Sequence, residues 1–258
     1  MVAVLFTAPW PAFVAAGAVI GLLVGLFGVG GSSIATPLLA VLGVPGLLAV
    51  ASPLPATIAA ALSAAVPYLQ NGEARPRAAG WTLLGGVPAA IGGAFLSQAL
   101  GGSVLLVASG MVLTIVGIRI LRPIAETSQA AGTIRRKNRL SLVAASAALG
   151  LFSGLLANGG GFLLVPMYLL IFGLDMRQAA GTSLLVISIL SLPILVVHAA
   201  LGHINWTVAS AFALGAVPTS VLSGRLAQRV TSSSLKQAFG WFLVASGIAF
   251  VLYRILGA

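Results

Sequence analysis

Long apolar runs separated by short polar loops dominate the chain. A helix needs about 20 residues to cross a bilayer, and eight runs approach or exceed that length. They are Pro11–Leu42, Leu47–Leu69, Ala78–Ala99, Val104–Leu121, Leu140–Phe172, Gln178–Leu201, Trp206–Ala227 and Leu235–Leu256. The first and the fifth run are too long for one simple span. The pattern predicts an all-α polytopic membrane protein in which these two runs fold differently from the others.

The composition narrows the class further. Hydrophobic residues make up 59% and charged residues 6% of the 258 residues, against about a quarter charged in a soluble domain. The net charge is +10, but the basic residues lie mostly in loops and at the ends of runs, where they set topology. We therefore expect no nucleic-acid partner. The chain has no cysteine, which excludes disulfides and cysteine metal sites, and its start predicts no cleaved signal peptide.

The two long runs share a glycine motif. Gly21–Pro37 reads GLLVGLFGVGGSSIATP and Gly150–Pro166 reads GLFSGLLANGGGFLLVP. The offset is 166 − 37 = 129 residues, half of the 258. Beyond Gly173 the likeness continues with an offset of 130, so that Ala49 matches Ala179. The sequence therefore predicts a first transmembrane repeat at 1–122, a polar linker at 123–139 and a second transmembrane repeat at 140–258.

Loop charges predict how the two repeats are oriented. The basic cluster Arg135–Arg139 marks the linker as cytoplasmic. In the first half the basic residues Arg75 and Arg77 follow the second run, whereas Ser97–Ser103 carries no charge. In the second half the order is reversed, because Leu201–Asn205 has no Lys or Arg and basic residues flank the last turn. Equivalent loops prefer opposite sides, which predicts two inverted-topology repeats.

Inversion requires each long run to fold back on itself. We predict that each repeat is a glycine-broken helical hairpin of two short helices, followed by three plain transmembrane helices. The glycines then lie at the hairpin tips, near the middle of the membrane. Two versions stay open: the tips are re-entrant, or their arms are tilted enough to count as spans.

The hairpin tips are the candidate site. Unsatisfied backbone groups are not tolerated in lipid, so a glycine tip needs protein or water around it. Broken helices direct free N–H groups at whatever lies between them, and glycine lets backbone approach a ligand closely. We predict that both tips form a compact anion site from Gly30, Gly31, Ser32, Ser33, Asn158, Gly159, Gly160 and Gly161. The alternative, tight helix packing, is preferred for Gly17, Gly21 and Gly25, which are spaced by four.

Other polar side chains are further candidates for this site. Ser52, Thr182 and Ser183 follow the hairpins, where their hydroxyls either line the cavity or bond to their own helix. His198 is an ionisable residue within a run, either functional or interfacial. The acids Glu73, Glu126 and Asp175 all lie in loops, so we expect no metal site, no cofactor and no carboxylate relay.

These motifs resemble those of the sulfite exporter TauE/SafE family, as do Ala179–Ser183 and Gly202–Trp206. The resemblance covers nearly the whole chain. It implies a multi-pass transporter of the bacterial inner (plasma) membrane for small sulfur anions such as sulfite, sulfonates or thiosulfate. The expected partners are this anion and the lipid bilayer, and a homodimer is left open. The first half departs from the pattern, since Ser52-Pro53 stands where the second half has Thr182-Ser183.

Anion export without catalysis is the preferred interpretation. An anion that leaves a cell with a negative interior gains about 2.3 kcal/mol per charge per 100 mV, so its export needs no coupling ion. A carrier or channel for another small anion or metabolite is the alternative within transport. An intramembrane hydrolase would use Ser153 or Ser183 as nucleophile and His198 as base, but no orienting third group is visible.

Overall fold

The structure is a computed structural model that describes residues 9–44, 46–100, 111, 114–121, 139–155, 161–200 and 202–256. Every regular element among these residues is an α-helix. The helices are α1 (Trp10–Phe27), α2 (Ser32–Val41), α3 (Gly46–Ala51), α4 (Leu54–Gln70), α5 (Pro76–Leu100), α6 (114–121), α7 (Arg139–Leu155), α8 (Gly161–Leu170), α9 (Met176–Ala200), α10 (Trp206–Ala227) and α11 (Ser232–Leu256). The all-α prediction is confirmed for the described residues.

Among the residues that the structure describes, four segments are long and apolar enough to cross a membrane. They are Trp10–Phe27, Leu48–Gln70, Met176–Ala200 and Trp206–Ala227. Many large apolar side chains are exposed on their outer faces, among them Leu214 on α10 and Val196 on α9. Exposed apolar side chains on long apolar helices are typical of lipid-facing surfaces.

The first glycine motif breaks the helix, as predicted. α1 ends at Phe27, and Gly28 follows with a left-handed φ of 68°. The first arm is longer than predicted, because nothing interrupts the apolar run before Gly28. Its 18 residues span about 27 Å, whereas the 10 residues of α2 span about 15 Å. In the second half α7 ends at Leu155 and α8 begins at Gly161, while Asn158, Gly159 and Gly160 lie outside the described residues.

The second run is not the plain helix that we predicted. α3 ends at Ala51, a turn covers Ser52 and Pro53, and α4 begins at Leu54. Proline lacks the N–H that would continue the helix, and this explains the break. In the second half Ser183 stands where Pro53 stands, and α9 continues unbroken through it.

The two halves pack crosswise, which means that the first helix of each half contacts a later helix of the other half. α1 packs along α10, and α7 packs along α5. Under the sequence repeat α1 corresponds to α7 and α10 to α5, so both contacts are versions of one interface that joins opposite halves. α4 and the later part of α9 are also equivalent, and they pack against each other between these interfaces.

Glycines set the distance in both interfaces. Two glycines at equivalent positions in each interface lie so close to the facing backbone that a Cβ would overlap a carbonyl oxygen. The glycine–carbonyl pairs are Gly21–Ala216 and Gly215–Val14 between α1 and α10, and Gly150–Gly86 and Gly85–Val143 between α5 and α7. The two sets correspond position by position under the repeat. Gly17 and Gly25 also press against α10, which confirms the predicted packing role of the spaced glycines.

Candidate functional site

The first hairpin tip is a buried, non-helical segment. Gly28, Val29, Gly30 and Gly31 are all buried between α1 and α2. A Cβ on Gly28 would lie 2.5 Å from Cα of Ala180 in α9, so this tip is pressed against the second half. The left-handed backbone and the close contact together require glycine at position 28.

The chain then returns to the middle of the bundle. A Cβ on Gly31 would overlap Ile20, near the centre of α1, and would lie 3.7 Å from the hydroxyl of Thr57. Ser32 opens α2, and Gly161 opens α8 at the equivalent position. The structure does not describe the side chains of Ser32 and Ser33. A helix start inside the bundle directs free N–H groups inward, and these stabilise negative charge.

The Tyr68 side chain satisfies a backbone carbonyl at the C-terminal end of α1. Its hydroxyl donates to the carbonyl oxygen of Gly25 at 2.8 Å, and its side chain is fully buried. Because α1 ends at Phe27, the Gly25 carbonyl has lost the N–H that a longer helix would supply. Tyr68 is equivalent to His198 at the offset of 130 residues, and nothing in the sequence pattern pairs a tyrosine with a distant backbone carbonyl.

Ser183 offers a free hydroxyl beside this tip. It is fully buried, and its Oγ has no hydrogen-bond partner among the described residues. It lies three residues beyond Ala180, on the same side of α9. An unpartnered buried polar group costs about 1–3 kcal/mol. A ligand or water that accepts or donates here would remove that cost.

Ser52 and Thr182 bond across the halves. The Ser52 hydroxyl accepts from the backbone N–H of Asn205 at 3.0 Å. The Thr182 hydroxyl accepts from the N–H of Arg75 at 3.0 Å and donates to the carbonyl of Gln178 at 2.6 Å. Both side chains are buried. Neither contact with the other half was foreseen, because backbone donors leave no mark in a sequence.

His198 lies away from the first tip. Its Nδ1 is 3.3 Å from Nδ1 of His203, at the far end of the 25-residue helix α9. Fifteen residues of helix separate it from Ser183, which corresponds to about 22 Å. These two residues therefore do not form a nucleophile–base pair. The side chain of Ser153 lies outside the described part.

The acids that the structure describes stay in loops, as expected. Glu73 Oε1 pairs with Arg177 Nη1 at 3.2 Å. The guanidinium also donates to the carbonyl of Val230 at 2.8 Å, so three loops meet at one end of the bundle. They are the loops at 71–75, 173–175 and 228–231. Asp175 belongs to the same end, where it accepts from the N–H groups of Arg177 and Gln178.

A small cavity lies between the two helices of the second hairpin, α7 and α8, and the helices α5 and α9. It has room for about one water molecule, and its lining includes Thr82, Ser146, Gly150 and Val186. The Ser146 hydroxyl is buried without a partner among the described residues. The Tyr168 hydroxyl donates to Thr82 Oγ1 at 2.9 Å. Nothing in the sequence pattern predicts this cavity.

Comparison with known proteins adds three findings. The family model for the sulfite exporter TauE/SafE family matches residues 13–250. A probable membrane transporter protein of Xylella fastidiosa strain Temecula1 is 30% identical over 247 residues, which cover 93% of this chain and 94% of that protein. The probable membrane transporter protein YjnA of Bacillus subtilis is 25% identical over 247 residues, covering 91% and 97% of the two chains. No solved structure matches the chain.

Proposed function

The chain belongs to the sulfite exporter TauE/SafE family of membrane transporters, and we propose that it exports small sulfur-containing anions of the sulfite, sulfonate or thiosulfate class. The family description supports that substrate class, while the relatives are named only as transporters. The proposed site lies between the two glycine-rich hairpin tips, Gly30–Ser33 and Asn158–Gly161. Ser52, Thr182 and His198 are further candidates from the sequence, but the hydroxyls of Ser52 and Thr182 bond to the opposite half, and His198 lies away from the first tip beside His203.

One observation carries the proposal: a buried glycine segment contacts the helix that carries a buried hydroxyl without a hydrogen-bond partner among the described residues. The segment from Gly28 to Gly31 contacts α9 at Ala180, and Ser183 follows on the same side of that helix, its Oγ unsatisfied by any described residue. Backbone N–H groups at the start of α2 add further donors. Neutral donors bind an oxyanion without holding it as tightly as a full positive charge would, and a transporter must release its substrate.

The crosswise packing supports the proposed inverted-topology repeats. A two-fold relation between the halves would pair equivalent helices in this crosswise way, and α1 pairs with α10 as α7 pairs with α5. The loops at 71–75, 173–175 and 228–231 meet at one end, and the charge pattern predicts all three in the cytoplasm. We therefore propose the inner membrane with linker 123–139 in the cytoplasm. Assembly as a homodimer stays a prediction.

Flux measurements test the substrate class. The protein is reconstituted into proteoliposomes, and transport of radiolabelled sulfite, thiosulfate and a simple sulfonate is measured with and without an imposed potential. We expect potential-driven flux of at least one anion, with no sodium or proton gradient required. If none of the three anions moves, the substrate class is wrong and a carrier or channel for another small anion or metabolite takes its place.

Substitutions in the same assay test the site. Ser183→Ala removes the unpartnered hydroxyl, and we expect flux to fall about tenfold, the value of one good hydrogen bond to a charged group. Ser188→Ala is the matched control, because the Ser188 hydroxyl bonds to Leu184 within its own helix at 2.7 Å. Asn158→Leu probes the second tip. Unchanged flux in both Ser183→Ala and Asn158→Leu would rule out the tips as the site.

A further inference from the structure

Two hydrogen bonds between the halves are copies of one another. Arg75 donates its backbone N–H to Thr182, and Asn205 donates its backbone N–H to Ser52, each at 3.0 Å. Arg75 and Asn205 are equivalent at the offset of 130 residues, and so are Ser52 and Thr182. Arg75 directly precedes the long helix α5, and Asn205 directly precedes α10. The backbone carbonyl of each residue accepts a hydrogen bond from the N–H four residues on, that of Ala79 or Ala209.

The two bonds lie at opposite ends of the bundle. α4 leads from Ser52 to the loop that contains Arg75, and its 17 residues span about 25 Å. α10 leads back from Asn205 to the loop at 228–231. The bond at Arg75 therefore closes the end where the charged loops meet, here called the Arg75 end. The other bond closes the opposite end, here called the Asn205 end.

We infer that these two bonds are latches that close the two ends of the transport path, and that the protein opens one end at a time by breaking one of them. Each latch joins a side-chain hydroxyl of one half to the backbone that precedes a helix of the other half, so rocking one half against the other breaks one and keeps the other. The structure has both latches formed, which is a state closed at both ends. The inference rests on transport by this family and not on the anion or the glycine-tip site.

The strength of a latch suits this role. A neutral hydrogen bond shifts a two-state equilibrium by about two- to tenfold, which is enough to bias an end towards closure without locking it. Ser52 and Thr182 are thus positioning residues that act through the opposite half. Their buried hydroxyls are already engaged, in contrast to the unpartnered hydroxyl of Ser183.

The Arg75 end has one further contact between the halves, the ion pair of Glu73 with Arg177. The Arg177 side chain is also held within its own half, where it donates to the carbonyl of Val230. At the Asn205 end the residue equivalent to Glu73 is His203, which contacts His198 of its own half. We therefore expect the resting protein to open more often at the Asn205 end.

The absence of native cysteine allows each end to be probed with a single thiol. Ala74→Cys and Ile204→Cys place matched probes one residue before each latch donor, at equivalent positions that are each 7% exposed. The rate of maleimide modification is measured in detergent, where both ends are reachable and no substrate is needed. Thr182→Val should raise the rate at position 74 about two- to tenfold and lower the rate at position 204. Ser52→Ala should do the reverse.

Controls separate a latch from a merely structural bond. Thr182→Ser and Ser52→Thr keep a hydroxyl and should restore the original rates, while Ser188→Ala should change neither. Where Thr182→Val does not yield folded protein, Glu73→Gln serves as a second way to loosen the Arg75 end, with the same opposite changes expected. If loosening one end raises the rates at both ends, or leaves the other end unchanged, the ends are not coupled and the inference is wrong. Reciprocal changes support it even if the sulfur-anion assignment fails.

Discussion

The α1–α10 and α5–α7 interfaces share their backbone contacts but differ in how the space around them is filled. Between α1 and α10 the Ser223 hydroxyl donates to the carbonyl of Gly21 at 3.1 Å, and Phe212 is fully buried. Near the α5–α7 interface Thr82 stands at the position equivalent to Phe212. There the cavity remains, and Ser146 has no partner among the described residues.

The difference between the two interfaces shows that glycines and larger side chains have separate roles in helix packing. Glycines bring the backbones together in both interfaces, and Gly17 and Gly25 add further close contacts between α1 and α10. Ser146 stands at the position equivalent to Gly17 in the other interface. Large and hydroxyl side chains then decide whether the interface is tightly filled. The first interface has little freedom to shift, whereas the second has room beside it for α7 and α8 to adjust.

Replacing Phe212 by a small residue should remove most of the difference in packing between the two interfaces. Phe212→Thr gives the first interface the residue that the second has, and we expect a loss of about 3 kcal/mol in the free energy of unfolding, because a buried ring leaves a cavity. Unfolding in detergent with increasing denaturant measures this loss. Thr82→Val is the matched change in the second interface and should cost about 1 kcal/mol, for the lost acceptor of Tyr168. Similar losses in both variants would contradict the comparison.

Adding a methyl group to equivalent glycines tests the freedom to shift. Gly21→Ala should destabilise the protein by about 2 kcal/mol, because the new Cβ overlaps the Ala216 carbonyl and the Thr219 hydroxyl. Gly150→Ala should cost about half as much, since the neighbouring cavity accommodates a small shift. Gly80→Ala is the control, because nothing lies within 4 Å of a Cβ there, and it should be neutral or stabilising. Equal losses at positions 21 and 150 would show that the cavity provides no relief.

The smallest effect comes from the two serines. Ser223→Ala removes a satisfied hydrogen bond between helices and should cost about 0.6 kcal/mol. Ser146→Ala removes an unpartnered hydroxyl and should cost nothing or stabilise the protein slightly. Thermal unfolding of the two variants side by side measures both values. If Ser146→Ala costs as much as Ser223→Ala, a bound water in the cavity satisfies Ser146.

The sequence predicted the helix break at the first glycine motif well, because a left-handed backbone at Gly28 strongly favours glycine. The equivalent break that the repeat predicts 129 residues later falls at residues outside the described part of the chain. The break at Pro53 was missed because the apolar run around it continues without a polar interruption. A comparison of the two halves could have predicted this break, because Pro53 stands at the position where the unbroken α9 has Ser183.

The sequence did not predict which helices touch. An offset shows which positions are equivalent and says nothing of which are neighbours, so the crosswise pairs were not foreseen. The contacts of Tyr68 with Gly25 and of Thr182 with Arg75 involve backbone atoms, which every residue carries. Ser183 was chosen as a hydroxyl near a tip, but only the structure distinguishes it from Ser52 and Thr182, whose hydroxyls are engaged.

The crosswise packing also has a consequence for how the protein is made. α1 is synthesised first, but the helix that its glycines contact begins about 180 residues later, at Trp206. At a synthesis rate of 5–20 residues per second, α1 waits in the membrane for roughly 10 to 40 s before its partner emerges. Its face of small residues stays exposed to lipid or to a helper protein during that time. A chain that is interrupted before α10 leaves that face without its native partner, so the bundle can close only near the end of translation.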